Sequence, residues 1–165
     1  MKSKALFITH AAVIAALYTV LTVFIAAFNL ASGAIQIRIS EALTILPYFT
    51  PAAIPGLFIG CLLSNIITGA AIWDVIFGSL ATLIGAIGTY FLSRKVSEWL
   101  APVPPILANT LIIPFVLTYA YGIPDGIPFL MLTVGAGEVL SCGVLGLILL
   151  LAIEPIKHKV FMPQD

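Results

Sequence analysis

The chain has 165 residues, of which 61% are hydrophobic and 8% are charged, and its mean hydropathy is +1.18. An ordinary soluble domain carries roughly 25% charged residues, so this composition excludes a water-soluble globular protein and is typical of a chain solvated by lipid. The formal net charge is zero, which gives no reason to expect a nucleic acid partner.

Apolar segments separated by Gly, Pro or charged residues predict six transmembrane helices. The first follows a basic start, as a signal peptide would, but it is too long for a signal h-region and is expected to be retained. The second is short and polar, against about 20 residues needed to cross the hydrocarbon. The six segments are about 5 to 28, 35 to 49, 54 to 70, 74 to 93, 105 to 122 and 126 to 153.

The basic residues decide the number of spans and their direction. All except Arg38 cluster at the N-terminus, after the fourth segment and after the sixth: Lys2, Lys4, Arg94, Lys95, Lys157 and Lys159. With six spans all three clusters lie on one face, which the positive-inside rule assigns to the cytoplasm, whereas five spans would divide them. We therefore expect an all-α integral membrane protein, with residues 1–165 forming a single six-transmembrane-helix bundle whose N and C termini are cytoplasmic.

Small residues mark one face of the first predicted helix. Ala11, Ala12, Ala15 and Ala16 form overlapping Ala-x-x-x-Ala pairs in its cytoplasmic half. Alanine at this spacing provides a smooth surface for close helix packing. Ala-rich membrane helices are common, so this pattern alone favours ordinary packing within the bundle over the docking of a partner.

The second segment carries a pair of opposite charges. Arg38 and Glu41 are three residues apart and would share one face of a helix, where they could pair or jointly line a cavity. Such a pair could also simply neutralise itself. Ionisable residues at membrane depth are costly and usually functional, so we favour a binding role.

Further polar and aromatic residues fall in the predicted outer half of the membrane: Asn65, Trp73, Asp74 and Tyr121. Each has a structural alternative. Asn65 could form an interhelical hydrogen bond, Trp73 and Tyr121 could be interfacial anchors, and Asp74 could cap its helix.

Glu138 lies about twelve residues into the last predicted helix, hence up to about 18 Å along its axis. Gly135 and Gly137 leave room for another helix or a ligand to approach it. A lone carboxyl at this depth must find a hydrogen-bond donor, be neutral or await a ligand. We favour the ligand.

Other chemistry has little support in the sequence. Cys61 and Cys142 lie in apolar segments as ordinary packing residues would, and His10 and His158 lie at the predicted cytoplasmic ends. We therefore predict no catalytic residue, no metal site and no cofactor bound by this chain. No phosphate-binding loop is present, so a partner chain would have to supply any energy from ATP.

Carboxylates, one arginine, amides and aromatic rings thus converge on one side of a small bundle. Aromatic faces to stack on and carboxylates to accept N–H groups suit a planar, hydrogen-bonding heterocycle.

Four blocks of sequence resemble the QueT family of queuosine-precursor transporters. They are Arg38-Ile-Ser-Glu41-Ala-Leu-Thr-Ile-Leu-Pro47-Tyr-Phe, Gly56-Leu-Phe-Ile-Gly60-Cys61-Leu-Leu-Ser-Asn65, Trp73-Asp74 with Gly78, and Gly137-Glu138. The family comprises substrate-binding S components of energy-coupling factor (ECF) transporters. The resemblance implies a six-helix S component in the cytoplasmic membrane that captures a 7-deazaguanine, such as pre-queuosine-1 or queuine, from outside.

The outer polar cluster and the resemblance together suggest roles for the residues. Glu41 and Glu138, with Asp74 third, would accept the donors of the guanine-like edge, and Arg38 would orient Glu41 or meet the heterocycle oxygen. Asn65 would complement ring acceptors, and Trp73 or Tyr121 would stack.

Energy would come from partners. The Ala11 to Ala16 face would dock on the membrane coupling subunit EcfT, and the ATPases EcfA and EcfA′ would drive toppling of the S component to release substrate inside. A different hypothesis is a solitary proton-coupled permease that uses Glu41 or Glu138 as a proton relay.

Overall fold

The computed structural model describes residues 2–27 and 38–161, and every regular element in those ranges is helical. The α-helices are α1 (Lys2–Ala27), α2 (Ala53–Ile67), α3 (Ile72–Lys95), α4 (Val103–Tyr119), α5 (Ile127–Glu138), α6 (Gly146–Ile153) and α7 (Lys157–Phe161). Short 3₁₀ helices span Ile39–Tyr48, Glu98–Leu100 and Glu154–Ile156, and a π-helical segment, Val139–Leu145, joins α5 to α6.

Several helices are suited to a membrane. Four stretches of the described chain are long and apolar enough to cross one, namely Lys4–Ala27, Ile72–Lys95, Glu98–Tyr119 and Ile127–Phe161, and α2 is apolar but shorter. The last stretch is continuous through α5, the π segment, α6 and α7. The all-helical architecture is therefore confirmed for the described residues, with four candidate membrane spans, whereas the count of six spans and the cytoplasmic termini stay predictions.

The second predicted span differs most from expectation. Its residues 35–37 and the preceding connection, 29–34, lie outside the described residues, and the rest is the 3₁₀ helix Ile39–Tyr48. Ten residues at about 2.0 Å each reach about 20 Å, short of the ~30 Å hydrocarbon core. Residues 40–47 are all buried, and the helix contacts α1, α2, α3, α6 and the π segment. It is a central element of the bundle, which explains how its polar residues avoid lipid.

Glycines bring neighbouring helices close together. A Cβ added to Gly60 on α2 would lie 2.8 Å from the Cβ of Tyr18 and 2.9 Å from the carbonyl oxygen of Ala15. On α3, a Cβ at Gly85 would lie 2.7 Å from the Cα of Pro105. The pairs α1–α2 and α3–α4 therefore pack at backbone distance, which fixes the frame around the site.

Candidate functional site

A polar cavity of about 350 Å³ lies where α1, α2 and α4 end and α3 begins. This volume falls within the range typical of small-molecule sites. Because α3 runs from the cavity to Arg94 and Lys95, the cavity lies at the opposite end of the bundle from those basic residues. Its polar lining residues are Thr22, Arg38, Ser40, Asn65, Thr68, Asp74 and Tyr121.

Asp74 and Tyr121 connect α3 to the segment after α4. The Tyr121 hydroxyl donates to Asp74 Oδ2 at 2.9 Å and accepts from the backbone N–H of Ala71 at 3.1 Å. Partial burial, with the nearby Asp74 carboxylate, raises the pKa of the Tyr121 hydroxyl, which therefore stays protonated as a donor at neutral pH. Asp74 is 6% exposed, and its Oδ1 has no hydrogen-bond partner among the described residues.

The structure does not support helix capping by Asp74. Ala71 occupies the N-cap position of α3, and no side-chain hydrogen bond caps this helix end. The Asp74 carboxylate points instead to the Tyr121 hydroxyl.

Asn65 joins α2 to α3. Its Nδ2 donates to the backbone carbonyl of Asp74 at 3.3 Å and lies 3.7 Å from the sulfur of Cys61. The interhelical hydrogen bond therefore forms, and Asn65 lines the cavity as well.

Arg38 lines the cavity from a position just before the central 3₁₀ helix. Its backbone is extended, with φ −106° and ψ 96°, and its N–H donates to Ser141 Oγ at 3.1 Å. The helix face expected to be shared with Glu41 is therefore absent, because the helix begins one residue after Arg38. Within the described residues the one ion pair joins Lys157 to Glu154, so Arg38 and Glu41 do not form the ion pair considered from the sequence.

A hydroxyl contact in the cavity lining lies beside a buried carboxyl in the chain. Thr22 Oγ1 donates to Ser40 Oγ at 2.8 Å, and both residues belong to the lining. Glu41 is the next residue after Ser40, is 1% exposed and does not line the cavity. Tyr18, one turn before Thr22 on α1, donates its hydroxyl to Glu41 Oε1, while Glu41 Oε2 has no hydrogen-bond partner among the described residues.

Glu138 approaches Glu41 from the last transmembrane stretch. Its carboxylate accepts from the thiol of Cys142 at 3.0 Å, and Thr44 Oγ1 donates to that sulfur at 3.4 Å. One ligand atom each of Glu41, Glu138 and Cys142 lies within 4.8 Å of the others. These atoms could surround a metal ion, but the thiol would first have to lose the proton it donates to Glu138. The observed contacts are those of a hydrogen-bonded polar cluster.

Comparison with known proteins now bears on this geometry. A family model described as the QueT transporter matches residues 8–155. This chain belongs to the QueT transporter family. It is also 39% identical over 83 residues to the queuosine precursor transporter QueT of Lactococcus lactis subsp. cremoris (strain MG1363), and the alignment covers 50% of this chain and 48% of that relative. No solved structure matches the chain.

Family membership confirms the resemblance drawn from the sequence blocks and places the chain among membrane transport proteins. The aligned part spans about half the length of the curated relative.

Four of the seven predicted site residues of this QueT family member line the cavity: Arg38, Asn65, Asp74 and Tyr121. Glu41 and Glu138 are buried together outside its lining. Trp73 lies elsewhere, because it is 55% exposed and lines an apolar groove of about 630 Å³ between α3 and α4, next to Phe77. Adjacent helical residues point about 100° apart, so Trp73 and Asp74 face different surroundings.

Sequence reasoning missed several residues of the site, among them Tyr18, Thr22, Ser40 and Cys142. The spacing of two of these residues could have indicated their role. Tyr18 and Thr22 are polar residues four apart on an otherwise apolar helix, and this spacing places them on one face.

The four alanines of α1 line an apolar groove of about 720 Å³ together with residues of α2. Their surroundings differ. Ala15 is 7% exposed, and it and Ala11 face Gly60 and Gly56 of α2, respectively. Ala12 and Ala16 are exposed. Packing within the bundle therefore accounts for one Ala-x-x-x-Ala pair and leaves the other accessible.

Proposed function

We propose that this chain is the substrate-binding S component of an ECF transporter and captures a queuosine precursor, a 7-deazaguanine such as pre-queuosine-1 or queuine. The observation that carries the proposal is the polar cavity at the end of the bundle opposite Arg94, in a chain of the QueT family. The positive-inside rule puts the basic end in the cytoplasm, so the cavity opens outward. The chain would then be one multi-pass domain of the cytoplasmic membrane, with six spans and cytoplasmic termini.

The cavity residues match the groups of a guanine-like ring. Arg38 has guanidinium donors for the ring carbonyl oxygen, and Asn65 has an amide for ring acceptors. Tyr121, 45% exposed at the cavity, is better placed to stack than Trp73, which lies outside it.

Glu41 and Glu138, which are buried outside the cavity lining, would accept hydrogen bonds from the ring N–H and amino groups. The unpartnered Glu41 Oε2 supports this role, because a buried carboxylate oxygen gains most from a new donor. Since Glu41 is 1% exposed and follows Ser40 of the lining directly, we expect the ligand to displace the Thr22–Ser40 contact on reaching it.

Transport would depend on partners. The exposed alanines of α1 would dock on EcfT, and EcfA with EcfA′ would hydrolyse ATP, so the chain itself would carry no catalytic residue and bind no cofactor. The accessible Ala12–Ala16 pair supports this docking.

Binding to the purified protein tests the proposal. Isothermal titration calorimetry should show tighter binding of pre-queuosine-1 or queuine than of guanine, and Arg38→Gln should weaken it. If neither precursor binds more tightly than guanine, the proposed function is wrong.

The buried carboxyl pair also favours a second candidate, a solitary proton-coupled permease in which Glu41 or Glu138 relays protons. Vesicles containing this chain alone distinguish the two. Uptake that a protonophore abolishes would support the permease, and absence of uptake without the ECF partners would support the S component.

A further inference from the structure

We infer that Asp74 forms the subsite for a positively charged amino substituent on the ligand, so that the cavity selects a cationic 7-deazaguanine over a neutral one. The inference rests on the proposed function and adds to it a residue and a charge for the group at ring position seven.

The Asp74 carboxylate is incompletely satisfied. Tyr121 donates to Oδ2, but Oδ1 has no partner among the described residues, and the residue is 6% exposed. Arg38 is the other charged residue in the described lining, and the two form no ion pair. The Arg38 charge interacts with Asp74 at longer range but forms no ion pair with it. Oδ1 therefore lacks a direct donor, and a ligand ammonium would supply one in a charge-assisted hydrogen bond.

The neighbouring amide does not satisfy this carboxylate. Asn65 Nδ2 donates to the backbone carbonyl of Asp74 and not to its side chain. The Asp74 carboxylate therefore keeps its accepting capacity for a ligand.

Gly78, one turn after Asp74 on α3, packs closely against Oδ1. A Cβ at this position would lie 2.9 Å from Asp74 Oδ1 and 3.2 Å from Asn65 Nδ2. Any side chain would therefore displace the carboxylate. Because the clash is with the end of a movable side chain and not with backbone, Gly78→Ala should leave the helix intact while moving the carboxylate.

The chemistry of the ligand fits this arrangement. In a 7-deazaguanine, the substituent at position seven and the ring carbonyl oxygen lie on the same edge of the ring system. A cavity with Arg38 for the oxygen and Asp74 for the substituent therefore matches neighbouring groups of one ligand. An alkylamine ionises with a pKa of about 10, as the lysine side chain does. The aminomethyl group of pre-queuosine-1 and the secondary amine of queuine are therefore cationic at neutral pH, whereas a nitrile at position seven is neutral and donates no hydrogen bond.

The experiment compares 7-aminomethyl-7-deazaguanine with 7-cyano-7-deazaguanine by calorimetry on the full chain in detergent. The unmodified protein should prefer the amine on the order of tenfold to a hundredfold, the range for a hydrogen bond between charged groups. Asp74→Asn and Gly78→Ala should each remove most of that preference, because both should lower affinity for the amine more than affinity for the nitrile. Gly143→Ala is the matched control, because its nearest neighbour would lie at 3.7 Å.

The possible results distinguish an error in the Asp74 subsite from an error in the proposed function. If the unmodified protein binds the amine and the nitrile equally, the Asp74 subsite is wrong and the proposed function stands. If both variants weaken the two ligands equally, Asp74 has a structural role and the subsite is again wrong. If neither ligand binds more tightly than guanine to the unmodified protein, the proposed function itself fails. Should Asp74→Asn not fold, Gly78→Ala alone decides.

Discussion

At the scale of single residues, the site depends on donors that reach buried carboxyl groups. Tyr121 serves Asp74, Cys142 serves Glu138 and Tyr18 serves Glu41. Tyr121 and Tyr18 are distant in sequence from the carboxyl groups that they contact. Cys142 instead lies one turn after Glu138 on the same stretch. Loss of a donor to a buried charged or polar group costs more than the bond itself contributes, because the partner is left unsatisfied.

Tyr18→Phe should therefore lower stability. Glu41 Oε2 makes no hydrogen bond of normal geometry among the described residues, although the Asn109 side chain interacts with this carboxyl, and the substitution would remove the donor to Oε1. We expect a loss of about 1–3 kcal/mol in the free energy of unfolding, measured as a lower melting temperature in detergent. Tyr119→Phe is the control, because Tyr119 is 78% exposed. Equal melting temperatures for the two variants would contradict the role given to Tyr18.

Residue types predicted four residues of the cavity lining, but the direction in which each side chain points from its helix could not be predicted. Arg38, Asn65, Asp74 and Tyr121 were found because polar groups are rare in so apolar a chain, and they do line one cavity. The sequence could not separate Asp74 from Trp73, since neighbouring residues on a helix differ by about 100° in direction and boundaries from sequence are uncertain by a few residues.

At the scale of elements, the two longest departures from α-helical geometry among the described residues meet at the buried carboxyls. The 3₁₀ helix Ile39–Tyr48 carries Glu41, and the π segment Val139–Leu145 follows directly after Glu138 and carries Cys142. Apolar composition predicts a helical stretch in both places, but it does not distinguish 3₁₀ or π geometry from α. π-helical turns occur frequently at functional sites, where they redirect side chains.

The packing of α1 on α2 gives a prediction at this scale. Gly60→Ala would place a methyl group 2.8 Å from the Cβ of Tyr18 and 2.9 Å from the carbonyl oxygen of Ala15. The helices would have to separate, at a cost of about 1–3 kcal/mol for overpacking. Thermal unfolding in detergent measures the effect, with Gly143→Ala as the control. A variant as stable as the unmodified chain would show that α1 and α2 tolerate a wider separation.

At the scale of the whole molecule, α1 connects the two candidate surfaces. Its last turns contribute Thr22 and Ile25 to the polar cavity, and Tyr18 bonds to Glu41. Its earlier turns carry the alanine groove. Ligand binding that moved the Thr22–Ser40 contact would act on the same helix that is proposed to dock, which offers a physical link between occupancy and partner binding.

Docking can be tested on the exposed alanines alone. Ala15→Trp would confound the test, because Ala15 is buried against Gly60 and its replacement would disturb the bundle. Ala12 and Ala16 are exposed, so Ala12→Trp and Ala16→Trp should fold, bind precursor with unchanged affinity, and abolish uptake in cells that also produce EcfT, EcfA and EcfA′. Ala152→Trp, at an exposed alanine of α6, controls for added bulk. Normal uptake by both α1 variants would place the docking surface elsewhere, whereas loss of binding would mean that the groove supports the cavity and not the partner.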